Sequence, residues 1–203
     1  PYTSAGIISQ ARYHNQETSF GGSLYSGSQH SLFFKASFQS TILDTTSLYK
    51  VGLTYSDDRY DESVLLVRPS APYSHESLYK RKDQILGAYG ELIMNYTPRL
   101  SSIFGYRTDY SKAFGFWSSP RLNIRFKPTD NSAFRLSVGK AYRLANPVAE
   151  NISYLFSSRN IILEDYNLLK MEEALNFGAN INHNFYIAGK FTSFNLDLYQ
   201  TDF

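Results

Sequence analysis

The clearest pattern in the chain is the alternation of apolar and polar residues in two neighbouring segments, Arg121–Phe126 and Ala133–Val138. Every second residue in each segment is apolar, and the turn Lys127–Ser132 separates them. Alternation with a period of two predicts β-strands that have one apolar face and one polar face. A soluble sheet must cover its apolar face with a second layer, whereas lipid covers that face in a transmembrane barrel.

The same pattern recurs along the chain and predicts an all-β protein of about ten antiparallel strands. Most of the predicted strands have about 9–13 residues, which is the length that a tilted strand needs to cross a bilayer. Strands of soluble proteins have about 5–6 residues. We therefore expect a transmembrane β-barrel. The predicted strands are 5–13, 19–26, 31–40, 47–57, 83–96, 99–110, 117–126, 133–142, 170–182 and 190–203.

The lengths of the connections support a membrane barrel, because such barrels have short periplasmic turns and longer outer loops. Short links are predicted at Thr97–Arg99 and Lys127–Ser132, which we place on the periplasmic side. Long loops are predicted at Asp58–Lys82 and Tyr142–Leu169, which we place outside. In the second of these loops the stretch before Leu175 suits a short helix. Near the N-terminus, Gly21-Gly22 can end a strand or mark a bulge.

Composition narrows the class of protein without changing this picture. The 203 residues include 17 Tyr and 15 Phe, an aromatic load that would supply the two interfacial girdles of an outer-membrane barrel. The 20 basic and 18 acidic residues nearly balance, and the resulting net charge of +2 is too small to indicate a nucleic-acid partner. The absence of Cys excludes disulfides, thiolate metal sites and Cys nucleophiles from these 203 residues.

The segment Gly139–Asn151 carries a family resemblance. Its sequence GKAYRLANPVAEN resembles the G-x-x-(F/Y)-R-x-x-N-P-x-x-E-N segment of TonB-dependent outer-membrane receptors, where a barrel strand enters an extracellular loop. Further pieces that resemble the family occur in the same order along nearly the whole chain. They are Arg12–Gln16, Phe20-Gly21, Asp57–Glu62, Ser118–Leu122, Ser157–Arg159, Glu173–Gly178 and Asn195–Phe203.

The resemblance implies a fragment, residues 1–203, of a Gram-negative outer-membrane receptor barrel that has about 22 strands around a plug domain. The plug is expected outside this chain, and the end of the chain at Phe203 is interpreted as truncation. The implied partners are outer-membrane lipid, the protein's own plug, the TonB complex through that plug, and a small scarce nutrient. The nutrient would be a ferric siderophore, another metal chelate, a cobalamin or a glycan. No cofactor, resident metal or catalytic residue is implied.

Two groups of candidate residues follow from the resemblance. The first group would face the ligand from the outer loops, although an alternative role in ordering the loop base carries more weight, with Arg143 and Glu150 pairing. The loop candidates are Tyr142, Arg143, Asn146, Glu150, Asn151, Arg159, His75 and Tyr73. The second group would line the lumen or contact the plug and comprises Arg121, Asn123, Arg125, Arg135, Asn195 and Asp197.

Two rival functions are weighed against the receptor. A small self-contained barrel protease or lipase would need acid and base groups that converge at the rim, with Asp57, Asp58 and His75 as the candidates. A soluble β-sandwich that binds sugars would need short strands, which the long alternating segments contradict. The four carboxylates within Asp57–Glu62 suggest calcium, but their spacing favours a solvated acidic edge of a loop.

Overall fold

The computed structural model describes residues 2–42, 46–67, 75–151, 153 and 170–203. These residues form one sheet of nine antiparallel strands in which every strand pairs with its neighbours in the chain. The strands are β1 Thr3–Phe20, β2 Ser23–Ile42, β3 Ser47–Leu66, β4 His75–Thr97, β5 Leu100–Ser111, β6 Gly115–Thr129, β7 Ser132–Arg143, β8 Glu172–Ile187 and β9 Lys190–Asp202. One short helix, α1 (Pro147–Glu150), follows β7.

The register gives the sheet an apolar face and a polar face. One row of successive cross-strand partners on the apolar face runs through Leu92, Phe104, Leu122, Val138 and Phe177. The adjacent row on the polar face runs through Lys50, Glu91, Gly105, Arg121, Gly139 and Asn176. The alternation in the sequence is thus kept in register across the sheet.

The apolar face has no cover within the described residues. Leu53, Leu136 and Leu198 are 57%, 58% and 60% exposed, respectively. The buried hydrophobic side chains of the described part of the chain are Tyr25, Val64, Leu66, Ala133 and Val148. A contiguous exposed apolar face of this kind marks a surface that contacts a membrane or another protein. No helix within the described residues is long and apolar enough to cross a membrane.

The all-β antiparallel prediction is confirmed, but the number of strands in the described residues is nine and not ten. The predicted strand 19–26 is wrong, because Gly21 has a φ of +60° and the chain turns there between β1 and β2. The predicted strands 5–13 and 31–40 instead belong to strands of 18 and 20 residues. Residues 14–18 were not predicted as strand because polar side chains occupy both faces, which removes the period-two signal.

The predicted loop Asp58–Lys82 is wrong for the same reason. β3 continues to Leu66 and β4 begins at His75, so most of that segment is paired strand. The acidic residues Asp57–Glu62 lie within β3, where Asp57 and Glu62 are buried, and not along a solvated loop edge. The predicted helix before Leu175 falls mainly outside the described residues, and the short helix of the described part is α1.

The connections fall on two rims. One rim, the short-turn rim, carries the connections 43–46, 98–99, 130–131 and 188–189. The other, the long-loop rim, carries 21–22, 67–74, 112–114 and 144–171. β4 pairs with β5 only from Leu86 onward, so His75–Ile85 extends beyond the end of β5 at the long-loop rim. The hairpin of β3 and β4 therefore extends further than β5 toward the long-loop rim.

Candidate functional site

The motif that follows β7 forms a structured loop, here called the β7 loop (residues 144–151), whose base is held by Arg143. The Arg143 guanidinium contacts the Glu150 carboxylate at 3.2 Å and the Glu172 carboxylate at 2.7 Å. The Asn146 backbone N–H donates to Glu150 Oε1 at 2.9 Å, and the Glu150 N–H donates to the Asn146 carbonyl. These bonds close the turn and join the loop to the start of β8.

The β7 loop packs on the polar face at the long-loop rim. Val148 of α1 is 2% exposed and lies in one hydrophobic cluster with Tyr25, Val64 and Leu66, against which Tyr79 packs. Arg81 of β4 donates a hydrogen bond from Nη1 to the Ala145 carbonyl at 2.9 Å. The loop that leaves β7 therefore reaches back over β2, β3 and β4.

This reach shows that the sheet curves toward its polar face. In a flat sheet, β3 would lie four strand spacings from β7, which is about 19 Å. The five residues from Arg143 to Val148 span at most about 17 Å when fully extended, and part of this segment is helical. The polar face is therefore concave, and α1 lies on the concave side.

Beside α1, a buried polar pair connects β2 and β3. The Tyr25 hydroxyl donates to Glu62 Oε1 at 2.8 Å, and both residues are 5% exposed. Burial, together with the neighbouring carboxylate, raises the pKa of Tyr25. The hydroxyl therefore remains a neutral donor at physiological pH, and it fixes the aromatic ring that packs with Val148.

Next to that pair, the polar face presents a cluster of polar and aromatic side chains. The Arg81 guanidinium lies 4.3 Å from the centre of the Tyr60 ring and pairs with Asp83 at 2.8 Å. Gln29 Nε2 donates to the Tyr60 hydroxyl at 3.2 Å and to Asp58 at 3.3 Å. Burial raises the pKa of Asp83, and Arg81 opposes this rise. The Arg81 and Asp83 side chains are only 14% and 11% exposed, so these contacts mainly join β2, β3 and β4 beneath the β7 loop.

Sequence reasoning missed this cluster because it assigned most of it to a loop. The cluster residues alternate with outward-facing residues, as in Asp58, Tyr60 and Glu62, but the outward positions are charged too. One feature of the sequence could have revealed the longer strand: the stretch Leu53–Val67 contains neither Gly nor Pro. Such a stretch is compatible with one continuous strand.

The other loop candidates have different positions. Tyr142 lies on the apolar face, where its ring is 5.2 Å from Lys140 Nζ, so it does not share a face with Arg143. The Asn151 N–H donates to the Val148 carbonyl at 3.2 Å and thereby closes α1. His75 begins β4, and its side chain lies outside the described part of the structure. Tyr73 and Arg159 also lie outside the described residues.

All six lumen candidates share the polar face. Arg121 pairs with Glu91, and Arg135 Nη1 donates to Asn180 Oδ1 at 2.7 Å. Asp197 accepts from Asn180 at 2.7 Å and from Asn195 at 2.6 Å. Arg125 lies directly opposite Arg135 across the β6–β7 pair, and Asn123 is on the same face of β6. Their role toward a plug or a pore stays a prediction.

The candidate enzyme residues do not converge. Asp57 and Asp58 are adjacent in a strand and point to opposite faces. Asp58 is opposite Asp83, whereas His75 is opposite Leu66, eight residues further along β3 and about 26 Å away. Asp57 accepts hydrogen bonds from Arg59 and Gln84. Within the described ranges, no group of three or more His, Cys, Asp or Glu residues has the geometry of a metal site.

Comparison with known proteins places this geometry in a family. Residues 2–203 match a family described as TonB dependent receptor-like, beta-barrel. No curated protein sequence matches the chain.

Several solved structures share the fold at low identity. The ferripyoverdine receptor of the outer membrane of Pseudomonas aeruginosa is 12% identical, with a TM-score of 0.66 over 98% of this chain and 31% of that one. The siderophore receptor PirA from Pseudomonas aeruginosa is 17% identical, with a TM-score of 0.59 over 97% of this chain and 39% of that one.

The copper transporter OprC is 13% identical, with a TM-score of 0.60 over 90% of this chain and 34% of that one. The chain spans about a third of the length of these structures. The family and its structural neighbours are receptors and transporters, not enzymes. Because the family match extends over residues 2–203 and the sheet has the same fold as these receptors, the chain belongs to the TonB-dependent receptor β-barrel family.

Proposed function

We propose that this chain forms part of the wall and outer loops of a TonB-dependent receptor that takes up a scarce nutrient across a Gram-negative outer membrane. The observation that carries the proposal is the sheet itself, whose apolar face is exposed and whose polar face is concave and charged. A barrel wall between lipid and a wet lumen has these two faces. The family match supports the same placement.

In this proposal the long-loop rim faces the outside and the short-turn rim faces the periplasm, because membrane barrels have that asymmetry. The apolar belt, defined as the apolar-face residues of the central rows such as Leu53, Leu92 and Leu136, contacts lipid. The strand ends that rise above the belt stand in the outer medium. Thirteen further strands, outside these residues, would close a barrel of about 22 strands around a plug, and through the plug the receptor would engage the TonB complex.

A ferric siderophore or another metal chelate is the best-supported nutrient class. Of the three structures described above, one is a siderophore receptor, one is a ferripyoverdine receptor and one is a copper transporter. The exposed edge of the cluster at Tyr60, which Arg81 and Asp83 hold in place, would contact the ligand beside the β7 loop. An Arg guanidinium stacked on a Tyr ring suits anionic and aromatic chelating groups. A cobalamin or a glycan is the second class, and neither class needs a covalent step.

The test is uptake by the full-length receptor in a strain that lacks its other iron receptors. Cells receive a panel of iron-55 siderophores, copper chelates, cobalamin and glycans, with and without an intact TonB complex. We expect one metal chelate to accumulate only with the complex intact. Arg81→Ala should lower its uptake, while Arg99→Ala, on the opposite rim, serves as the matched control. Accumulation that does not depend on the complex would contradict the proposal, and uptake of only cobalamin or a glycan would overturn the chelate assignment.

A further inference from the structure

Two arginines on the concave polar face oppose each other without a carboxylate between them. Arg125 of β6 and Arg135 of β7 are direct cross-strand partners, and both side chains are exposed. Like charges directly opposite each other destabilise an antiparallel pair. Arg135 donates to the neutral amide oxygen of Asn180, while Arg125 has no acceptor within the described residues. The two guanidiniums therefore repel each other on this face.

The nearby acids do not relieve this repulsion. Glu91 is held by Arg121, and Asp197 lies two strands from Arg135 and accepts from Asn180 and Asn195. On its other side, Arg125 is opposite Ser101. A break in local rules that nothing nearby compensates is typical of a site that something else completes.

The space around the pair can hold a side chain from another segment. Arg125 and Arg135 line an open concavity of about 710 Å³, with Asn123, Asn180 and Asp197 among its other residues. Asp197 lies at its far side, where Asn180 and Asn195 already donate to its carboxylate. The concavity lies on the polar face, near the short-turn rim, below the apolar-belt row of Phe104 and Leu122. An occupant must therefore come from inside the barrel and not from the lipid.

We propose that an acidic side chain of the plug domain docks between Arg125 and Arg135 and receives hydrogen bonds from both guanidiniums. The inference rests on the proposed function, since it requires a plug inside the barrel. A carboxylate matches the planar donor fork of arginine and neutralises the repulsion between the two cations. A transported anion would occupy the pair only during passage, so it would not stabilise the resting receptor, whereas a resident plug would.

The first experiment places a photo-crosslinking amino acid in the full-length receptor at Arg125, at Asn123 on the same face, or at Leu136 on the opposite face. Crosslinked peptides are then identified by mass spectrometry. We expect positions 125 and 123 to capture plug peptides, with an Asp or Glu in the peptide captured at 125. Leu136, which is adjacent to Arg135 but lies on the apolar face, should capture none.

The second experiment reverses charges. The double variant Arg125→Glu/Arg135→Glu should unfold at a lower temperature than the wild-type receptor, because it sets three carboxylates against one another. Replacing the captured plug acid with Arg should restore most of the lost stability. Arg99→Glu, at the short-turn rim, is the matched control, and the plug substitution should not rescue it.

The outcomes separate the inference from the function on which it rests. Plug capture at 123 but not at 125, or failure of the charge swap to restore stability, would overturn the arginine-pair inference and leave the receptor proposal standing. Capture of only a small soluble anion at 125 would also overturn it. Absence of plug capture at both polar-face positions would contradict the plugged receptor itself.

Discussion

Arg143 joins three parts of the chain at the point where β7 ends. Its guanidinium contacts Glu150 at the end of α1 and Glu172 at the start of β8. Because a planar guanidinium can serve two carboxylates at once, one residue fixes both the loop and the following strand. The NPxxEN part of the motif supplies the second carboxylate and the turn.

Acid should release this anchor. Hydrogen bonds from Arg143 hold the pKa of Glu172 below its usual range. The pair therefore stabilises the loop above the unfolded pKa of about 4.3, and that contribution is lost as the pH falls through the lower folded pKa. A spin label at Ala145→Cys in the full-length receptor should be immobile at pH 7 and mobile at pH 3. In an Arg143→Gln background it should be mobile at both values, and a label that stays immobile there would contradict the anchor.

Val148→Ala should loosen α1 without affecting the sheet. The substitution removes two buried methyl groups from the cluster with Tyr25, Val64 and Leu66. At about 0.8 kcal/mol for each buried group, α1 should lose about 1.6 kcal/mol of docking free energy. Amide hydrogen exchange at 148–151 should then be roughly ten times faster. Val51→Ala, the same change on the exposed apolar face, is the control and should leave this exchange unaltered.

At the scale of elements, the strands combine two environments. Where one face of the sheet is apolar and exposed, apolar residues alternate and the sequence predicts the strand, as in residues 31–40 and 133–142. Where polar residues occupy both faces, as in residues 14–18 and 57–61, alternation vanishes although the hydrogen-bonded ladder continues. The fold class and most strand positions could therefore be predicted, while the strand lengths and the polar cluster beneath the β7 loop could not.

The docking of α1 was also beyond sequence reasoning. The motif identified Arg143 and Glu150 as a possible pair because they are close in sequence. Val148, in contrast, packs on residues of β2 and β3 that are far away in the chain, and nothing in its own segment marks them. Only the curvature of the sheet brings the two segments together.

Glycines on the concave face permit close packing of large side chains. A Cβ at Gly52 would lie 2.6 Å from the Ala36 carbonyl oxygen and 2.6 Å from the ring of Tyr89, its cross-strand partner. Gly52→Ala should therefore destabilise the full-length barrel by about 1–3 kcal/mol. Gly90→Ala, on the apolar face with no atom within 4 Å of the added Cβ, should be neutral or stabilising. The measurement is the fraction of receptor that runs as the compact folded band on gels of unheated samples. An equal loss of that band in both variants would contradict this explanation.

At the scale of the whole molecule, the proposed function makes the sheet a boundary between two media. The two longest connections, 67–74 and 144–171, share one rim, and this asymmetry is the basis for the proposed orientation of the wall. The apolar belt can be traced from β2 to β9 through cross-strand partners, which requires that all the strands lie at compatible depths.

Adjacent residues of the same type test this boundary. Ile7 lies on the apolar face and Ile8 on the polar face of β1, and they are 74% and 55% exposed in this chain. Ile7→Lys should destabilise the full-length receptor by about 2–4 kcal/mol, because it places a charge in lipid, whereas Ile8→Lys should cost much less. The measurement is denaturant-induced unfolding in lipid vesicles. A larger cost for Ile8→Lys would reverse the assignment of the two faces.

The unequal heights of β4 and β5 shape the approach to the mouth of the barrel. The eleven residues from His75 to Ile85 that rise beyond the end of β5 measure about 36 Å along the strand, or about 30 Å of height at the usual tilt. Among the described residues, the wall is high along β1–β4, whose pairing continues to the long-loop rim, and low at the β5–β6 turn. In the proposed receptor, a solute would therefore reach the polar face of β3 and β4 more directly over the β5–β6 turn than over the higher ends of β1–β4.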